Sequence, residues 1–340
     1  MTSILTFEQR LIAFEKLGQY LLPPDDSLQI LIESAHYHNP WFTLSETNKA
    51  VTSIGNMLNG TDLRSWFRSE NQTPTAKRVG LILAGNIPLV GFHDILSVLI
   101  TGHVALIKQS SQDQKLIPHI LTKLTEIEPG ITEQIEYVER LQDFDAVIAT
   151  GSDNTSRYFE HYFSKVPHII RKNRNSIAVL TGDETPEMLH QLGKDIFDYF
   201  GLGCRNVSKL FVPRDYNFNT FFQAIEPYKE VIDHYKYSNN YDYNKSVYLV
   251  NLLKHLDNGF LLLKEDETLA SPLSVLYYQE YEKITDLEAK LSGMSEKIQC
   301  IVTAQPLEVS NQQVNFGQSQ KPKLWDYADG VNTIQFLLHL

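Results

Sequence analysis

Cysteine is scarce in this sequence, with two in 340 residues. So small a number excludes a disulfide framework and a cysteine-rich metal site, and it fits a reducing compartment. Positive charge is also short. Thirty Lys and Arg stand against 41 Asp and Glu, a formal net charge of −11. That balance argues against nucleic acid or an acidic membrane surface as a partner, because phosphates are met by clustered cations. Long apolar runs are missing: 79–85 and 95–100 fall far short of the ~20 residues that a membrane span needs. The start, MTSILTFEQRL, lacks a basic stretch followed by an apolar one, so no signal peptide is expected. Neither G-x-G-x-x-G nor the P-loop pattern occurs, which removes the common dinucleotide and nucleoside-triphosphate fingerprints. His36 and His38 have no third ligand at a suggestive spacing, and no metal is expected.

What is present is ordinary for a globular protein: 42% hydrophobic and 21% charged residues, enough for a large core. The length has room for about two domains. The expectation is a cytoplasmic protein of enzyme size. Residues 1–70 read as helices. Leu11, Phe14, Leu17, Leu21 and Leu22 recur at helical intervals. Thr43-Leu44-Ser45-Glu46 has the pattern of a capping box, and Asn59-Gly60 offers a positive-φ close to that helix.

The character changes at residue 78. Arg78–Gly85 is a continuous apolar run ended by glycine, the mark of a strand buried on both faces. A helix from about Val90 to Thr101, a strand His103–Lys108 and a helix over 112–127 follow, then short strands at Ile135–Val138 and Ala146–Thr150. The rhythm continues through Ile177–Leu180, a helix from Pro186 to Phe200, and Val207–Val212. Beyond 245, the runs Ser246–Asn251, Phe260–Leu263, Leu273–Tyr278 and Gln299–Thr303 read as further strands. Strand and helix in alternation predict right-handed crossovers and an α/β fold with doubly wound parallel sheets.

Five places carry chemistry-bearing residues. Cys300, among branched apolar neighbours, reads as an inert buried thiol. Cys204 lies in Gly201-Leu202-Gly203-Cys204-Arg205-Asn206, between a helix and a strand. The glycines there permit close approach of a ligand, and Arg205 favours a thiolate. It is either structural or the nucleophile of covalent catalysis. Gly151-Ser152 follows a strand and opens a helix, so it is either a plain serine cap or a turn that holds a pyrophosphate. Asn86, past the end of the first strand, is a turn residue or an oxyanion donor. The basic cluster Arg171-Lys172-Asn173-Arg174 is a solvated face or a phosphate anchor.

Taken together, these segments resemble the aldehyde dehydrogenase superfamily, and within it the long-chain acyl-CoA reductase (LuxC-like) family. The resemblance is strongest from Ile177–Gly182 through Asp195–Pro213, and continues in Phe316–Gln320 and Leu324–Gly330. It implies a Rossmann-type cofactor domain plus an α/β catalytic domain and a helical N-terminal region. The boundaries expected are 1–77 for the helical region, 78–182 for the cofactor-binding domain, 183–312 for the catalytic domain and 313–340 for a C-terminal segment. By the same resemblance Cys204 matches the catalytic cysteine and Asn86 the oxyanion-hole asparagine. Lys108 matches the lysine at the adenosine ribose, and Gly151 and Ser152 the turn beside the pyrophosphate. Glu267, before Leu269-Ala270-Ser271-Pro272, matches the glutamate at the nicotinamide ribose. Two departures stand out. Hydrolytic members carry a general-base glutamate about where this chain has Arg171 and Lys172. The 63-residue interval from Cys204 to Glu267 is also short for the superfamily.

The implied reaction is reduction of a fatty acyl-CoA to the aldehyde with NADPH, through an acyl thioester on Cys204. The NADPH expectation rests on Lys108-Gln109-Ser110-Ser111, where no acidic residue stands to repel a 2′-phosphate before Asp113. The partners implied are acyl-CoA and NADPH, with a homo-oligomer left open. The alternatives are another NAD(P)-dependent aldehyde dehydrogenase-type enzyme, or a catalytically weak binding or assembly subunit.

Overall fold

The computed structural model describes residues 5–67 and 75–340. Residues 1–4 and 68–70 of the expected helical region, and with them the first residues of the segment read for a signal peptide, lie outside the described residues. The chain divides into two compact units, Met1–Asn173 with Lys323–Leu340, and Arg174–Pro322.

The first unit opens with helices α1 (Phe7–Tyr20), α2 (Asp26–Ser34), α3 (Leu44–Met57) and α4 (Gly60–Trp66). A capping box between Thr6 and Gln9 starts α1, whose stripe Leu11, Phe14 and Leu17 is fully buried. Asn59 does not close α3 with a positive φ. It stands at φ −67° as the N-cap of α4, accepting a hydrogen bond from the Asp62 N–H at 2.9 Å. An asparagine serves as an N-cap better than almost any other residue, and that preference prevails here. Then come β1 (Arg78–Ile82), α5 (Phe92–Ile100), β2 (Val104–Lys108), α6 (Leu116–Ile127), β3 (Ile135–Tyr137), β4 (Ala146–Thr150), α7 (Asp153–Phe163) and β5 (His168–Arg171). Among the described residues these strands form a five-stranded parallel sheet in the order β3-β2-β1-β4-β5. Helix α5 is apolar on nearly every side because β1 and β2, α1 and the C-terminal helix Thr333–Leu338 all pack on it.

Arg171 departs from both readings of the basic cluster. It is buried, and its guanidinium donates to Asp94 on α5 (Nη2 to Oδ1 2.6 Å, Nε to Oδ2 3.3 Å), to the Ala328 carbonyl (2.8 Å) and to Thr333 Oγ1 (3.0 Å). Lys172 is the solvated one, exposed and paired with Glu160 at 2.7 Å.

The second unit contains β6 (Asn175–Val179), α8 (Pro186–Phe197), β7 (Val207–Pro213), α9 (Phe218–Ile225), α10 (Tyr235–Val250), β8 (Leu256–Asp257), β9 (Leu262–Glu265), β10 (Val275–Tyr281), α11 (Ile284–Ser292), β11 (Ile298–Thr303) and β12 (Gln313–Val314). Among the described residues its sheet has seven strands in the order β12-β11-β6-β7-β10-β9-β8, parallel except at β8. Ile177, Val179, Phe211, Leu287, Leu291, Ile298 and Ile301 form the core on one face. The run Ser246–Asn251 is not a strand but the end of α10 and its C-cap. Its buried stripe is Tyr237, Tyr241, Asn244 and Tyr248, at helical spacing, while Leu249 and Val250 face solvent. A six-residue apolar window hid a helix whose inward side chains are tyrosines and an asparagine.

The buried Arg171–Asp94 pair yields a stability prediction. Asp94→Ala strands a guanidinium in the interior and is expected to lower stability by about 3–5 kcal/mol. Asp94→Leu combined with Arg171→Met restores most of it, and equilibrium urea unfolding measures both.

Candidate active site

In the first unit the strand order reverses between β1 and β4, and ligands of open α/β sheets bind in the crevice at the carboxyl ends of the strands at such a point. The loop after β1 carries Asn86, half-buried. Lys108 ends β2, exposed, and Gly151-Ser152 follows β4. The Ser152 hydroxyl is the N-cap of α7 and accepts from the Thr155 N–H at 3.4 Å. A side chain at Gly151 would place its Cβ 3.0 Å from the Phe159 ring. The Asn86 loop is tied to the loop after β2 by Asp113, which in the sequence stood out only as the first acidic residue after Lys108. Asp113 is 3% exposed, and its Oδ2 accepts from the N–H of Leu89 at 2.9 Å. Leu89 itself stands at φ +60°. Burial raises the Asp113 carboxyl above its usual range, against hydrogen bonds from Leu89, Leu116 and Ile117 that lower it. Gly85 permits the contact between the two loops, since its Cβ would come within 2.7 Å of Ser110 Cβ. Asn86, Lys108, Gly151 and Ser152 thus share one sheet edge, where an exposed cation and a helix N-terminus fit a phosphate-bearing ligand.

In the second unit, Cys204 stands exposed on the turn between α8 and β7. The chain approaches it through three consecutive residues of positive φ, Tyr199 (53°), Phe200 (56°) and Gly201 (78°). For two aromatic residues this costs on the order of 1–3 kcal/mol each, and the surroundings must hold it. Asn206, 4% exposed, does so. Its Oδ1 accepts from the Gly203 N–H at 2.8 Å, and its Nδ2 points at the carbonyls of Asp195 (3.2 Å), Ile196 (3.4 Å) and Asp198 (2.7 Å). Phe200 packs on His234, with ring centroids 4.4 Å apart. Ser176 on β6 donates to the Cys204 carbonyl at 2.9 Å and also meets Cys300 Sγ at 3.1 Å, so Cys300, fully buried, lies two contacts from the Cys204 backbone. The adjacent Arg205 guanidinium donates to the Ser319 carbonyl at 3.4 Å. Asp195, fully buried, accepts from the N–H groups of Gly317 (2.6 Å) and Ser319 (2.9 Å), and burial pushes its carboxyl up to about 6.

Glu267 follows β9 with its side chain exposed. The structure ties its segment to the strand that leaves Cys204. Ser208 Oγ donates to the Leu269 carbonyl at 2.8 Å, and Lys209 Nζ donates to the carbonyls of Asp266 (2.8 Å) and Glu267 (2.9 Å). Although burial opposes it, hydrogen bonds from Lys264 and Thr268 bring the Asp266 carboxyl down to about 2. Asn206, Ser176 and Lys209 were not singled out from the sequence. Lys209 alone left a signal there, as a charge inside the apolar run Val207–Val212. Among the described residues no group of three or more His, Cys, Asp or Glu could hold a metal ion, and no helix is long and apolar enough to cross a membrane.

The two sheets and the cysteine turn define the aldehyde dehydrogenase-like fold of an NAD(P)-dependent oxidoreductase. Aldehyde dehydrogenase 21 of Physcomitrella patens, in complex with succinate, is 11% identical, with 99% of this chain and 85% of that one covered and a TM-score of 0.71. An oxidoreductase of Marinobacter aquaeolei is 12% identical over 95% of this chain and 80% of that one, TM-score 0.68. A Mycobacterium tuberculosis aldehyde dehydrogenase complexed with NAD+ is 13% identical over 98% and 84%, TM-score 0.66. No curated protein sequence matches. The model of the acyl-CoA reductase (LuxC) family matches residues 49–222, half of the chain, and the protein belongs to that family.

The Cys204 turn gives the second prediction. Asn206→Asp keeps the shape but turns an oxygen toward three carbonyls, and is expected to destabilise the protein by about 1–3 kcal/mol. Thermal unfolding of the variant beside the wild type measures it.

Proposed function

We propose that the protein reduces a long-chain fatty acyl-CoA to the fatty aldehyde with NADPH. The observation that carries this reading is the extent of the family match. Residues 49–222 take in Asn86, Lys108, Gly151, Ser152 and the exposed Cys204 on its strained turn. The Cys204 thiolate attacks the acyl carbonyl, the bond to the CoA sulfur breaks, CoA leaves as its thiolate, and an acyl thioester remains on Cys204. Asn86 and the Cys204 backbone N–H donate to the oxyanion of the tetrahedral intermediate, and one such donor is worth about 3–4 kcal/mol. Lys108 and the Gly151-Ser152 turn would hold the adenosine ribose and pyrophosphate ends of the dinucleotide, and Glu267 its nicotinamide ribose. A bound NADPH supplies the hydride that reduces the acyl carbon. Cys204 is then released as the thiolate when the aldehyde departs. Arg171 and Lys172 support reduction over hydrolysis. About where hydrolytic members of the resembled superfamily carry a base, one is a buried guanidinium bound to Asp94 and the other an ammonium paired with Glu160. Neither a guanidinium nor an ammonium has an acceptor lone pair with which to take a proton from water.

Acyl-CoA labelled in its acyl group, followed by denaturation, tests the nucleophile. Cys204→Ala is expected to retain no label and Cys300→Ala nearly all of it, and label persisting on the Cys204 variant sinks the assignment. For cofactor choice, Lys108→Ala is expected to lower kcat/KM with NADPH more than with NADH, because its point charge would attract the 2′-phosphate. Equal losses with both cofactors remove that role.

A further inference from the structure

Lys209 lies in the middle of the seven-stranded sheet, five residues past Cys204, and is fully buried. An ammonium in that position costs heavily unless every N–H finds an acceptor. All three do: the carbonyls of Asp266 (2.8 Å) and Glu267 (2.9 Å) and Gln279 Oε1 (3.1 Å), with the Phe211 ring 4.9 Å away. A leucine would fill a sheet centre at less cost. Two of the three bonds go to consecutive carbonyls just past the end of β9, at the turn that presents Glu267.

We infer that Lys209 is a positioning residue for the dinucleotide, fixing the Asp266–Glu267 turn through its ammonium and making cofactor affinity depend on pH. The inference rests on the reading of Glu267 as the contact to the nicotinamide ribose. The charged groups facing Lys209 are Lys290 from α11, which shares Gln279 Oε1 at 2.7 Å, and the carboxylates of Asp266 and Glu267 on the turn. Burial brings the ammonium down to about 8. Lys290 acts in the same direction, and the two carboxylates oppose it. A neutral amine has two N–H groups for three acceptors, so above that pH one acceptor goes unmet and the turn loosens. Global stability moves the other way. The folded-state value lies below the unfolded 10.5, so the unfolded chain binds more protons between about 8 and 10.5, and the fold gains stability as pH rises through that window. Titration of Lys209 therefore does not itself lower global stability across the window in which affinity is expected to fall.

The test is direct binding of NADPH and of NADH to the full chain without acyl-CoA, by calorimetry or nicotinamide fluorescence, from pH 6.5 to 9.5. It is repeated in Cys204→Ala, so that the thiol does not titrate. Affinity is expected to fall about tenfold across an inflection near pH 8, the scale of one hydrogen bond to a charged group. Gln279→Glu, of the same shape, puts a carboxylate against the ammonium and is expected to move the inflection upward by about one pH unit or more. Lys209→Met is expected to bind about tenfold more weakly at pH 7 and without pH dependence. An inflection that stays in place in Gln279→Glu overturns the inference, even if Lys209→Met fails to fold, and so does unchanged affinity in a folded Lys209→Met. A wild type that binds neither dinucleotide at any pH overturns the cofactor reading itself, and the inference with it.

Discussion

The second unit is organised around one buried amide. Asn206 receives the N–H of Gly203 on one side and turns its own N–H groups to the carbonyls of Asp195, Ile196 and Asp198 on the other. A helix normally leaves its last carbonyls to solvent or to a glycine cap. Here α8 gives them to a side chain from the following turn. The chain between is consequently forced through Tyr199 and Phe200 in the left-handed region before Gly201 relieves it. The turn that results exposes Cys204 while everything behind it is fixed. A more relaxed connection from α8 to β7 would not need Asn206, and would not fix the backbone of the turn that carries the thiol.

The same device recurs near Asn86, at Cys204 and near Glu267. A buried or half-buried polar side chain grips backbone rather than the reactive side chain. Asp113 holds the Leu89 amide near Asn86, Ser176 the Cys204 carbonyl, Ser208 the Leu269 carbonyl and Asp195 the amides of Gly317 and Ser319. Backbone groups must be paired when they leave regular structure in the interior, and using side chains for this fixes a loop without a longer strand or helix. It also leaves the chemical side chains, Cys204 and Lys108 among them, exposed.

The architecture was legible where hydrophobic period and punctuation agree. Arg78–Gly85, Val207–Val212 and Gln299–Thr303 are apolar runs of strand length, and each contains or lies within a strand. Val90–Thr101 shows as a helix because Gly102 stops it. Reading failed where burial falls on polar residues. The tyrosine and asparagine stripe of α10 carries no apolar period, and Arg171 looks like part of a charged cluster until Asp94 is brought beside it. The supports of the site were invisible for a related reason. Ser176 and Cys204 are 28 residues apart in sequence, Asp195 and Ser319 are 124 apart, and no local pattern announces such pairs. The chemical residues themselves stood out by composition and by family resemblance, whereas those that hold them are recognisable only from the fold.

The path of the chain has a consequence for its synthesis. Arg171 ends β5, yet two of its acceptors, the Ala328 carbonyl and Thr333 Oγ1, belong to the returning segment after residue 322. At ribosomal speeds of ~5–20 residues per second, the nascent first unit waits on the order of ten seconds with its guanidinium bound to Asp94 alone. During that interval the whole of the second unit emerges and has time to close around its own sheet. The cysteine-bearing unit is thus a guest inserted in its host, complete before the host is. The segment from Lys323 onward acts as a latch on a sheet whose strands are made well before it.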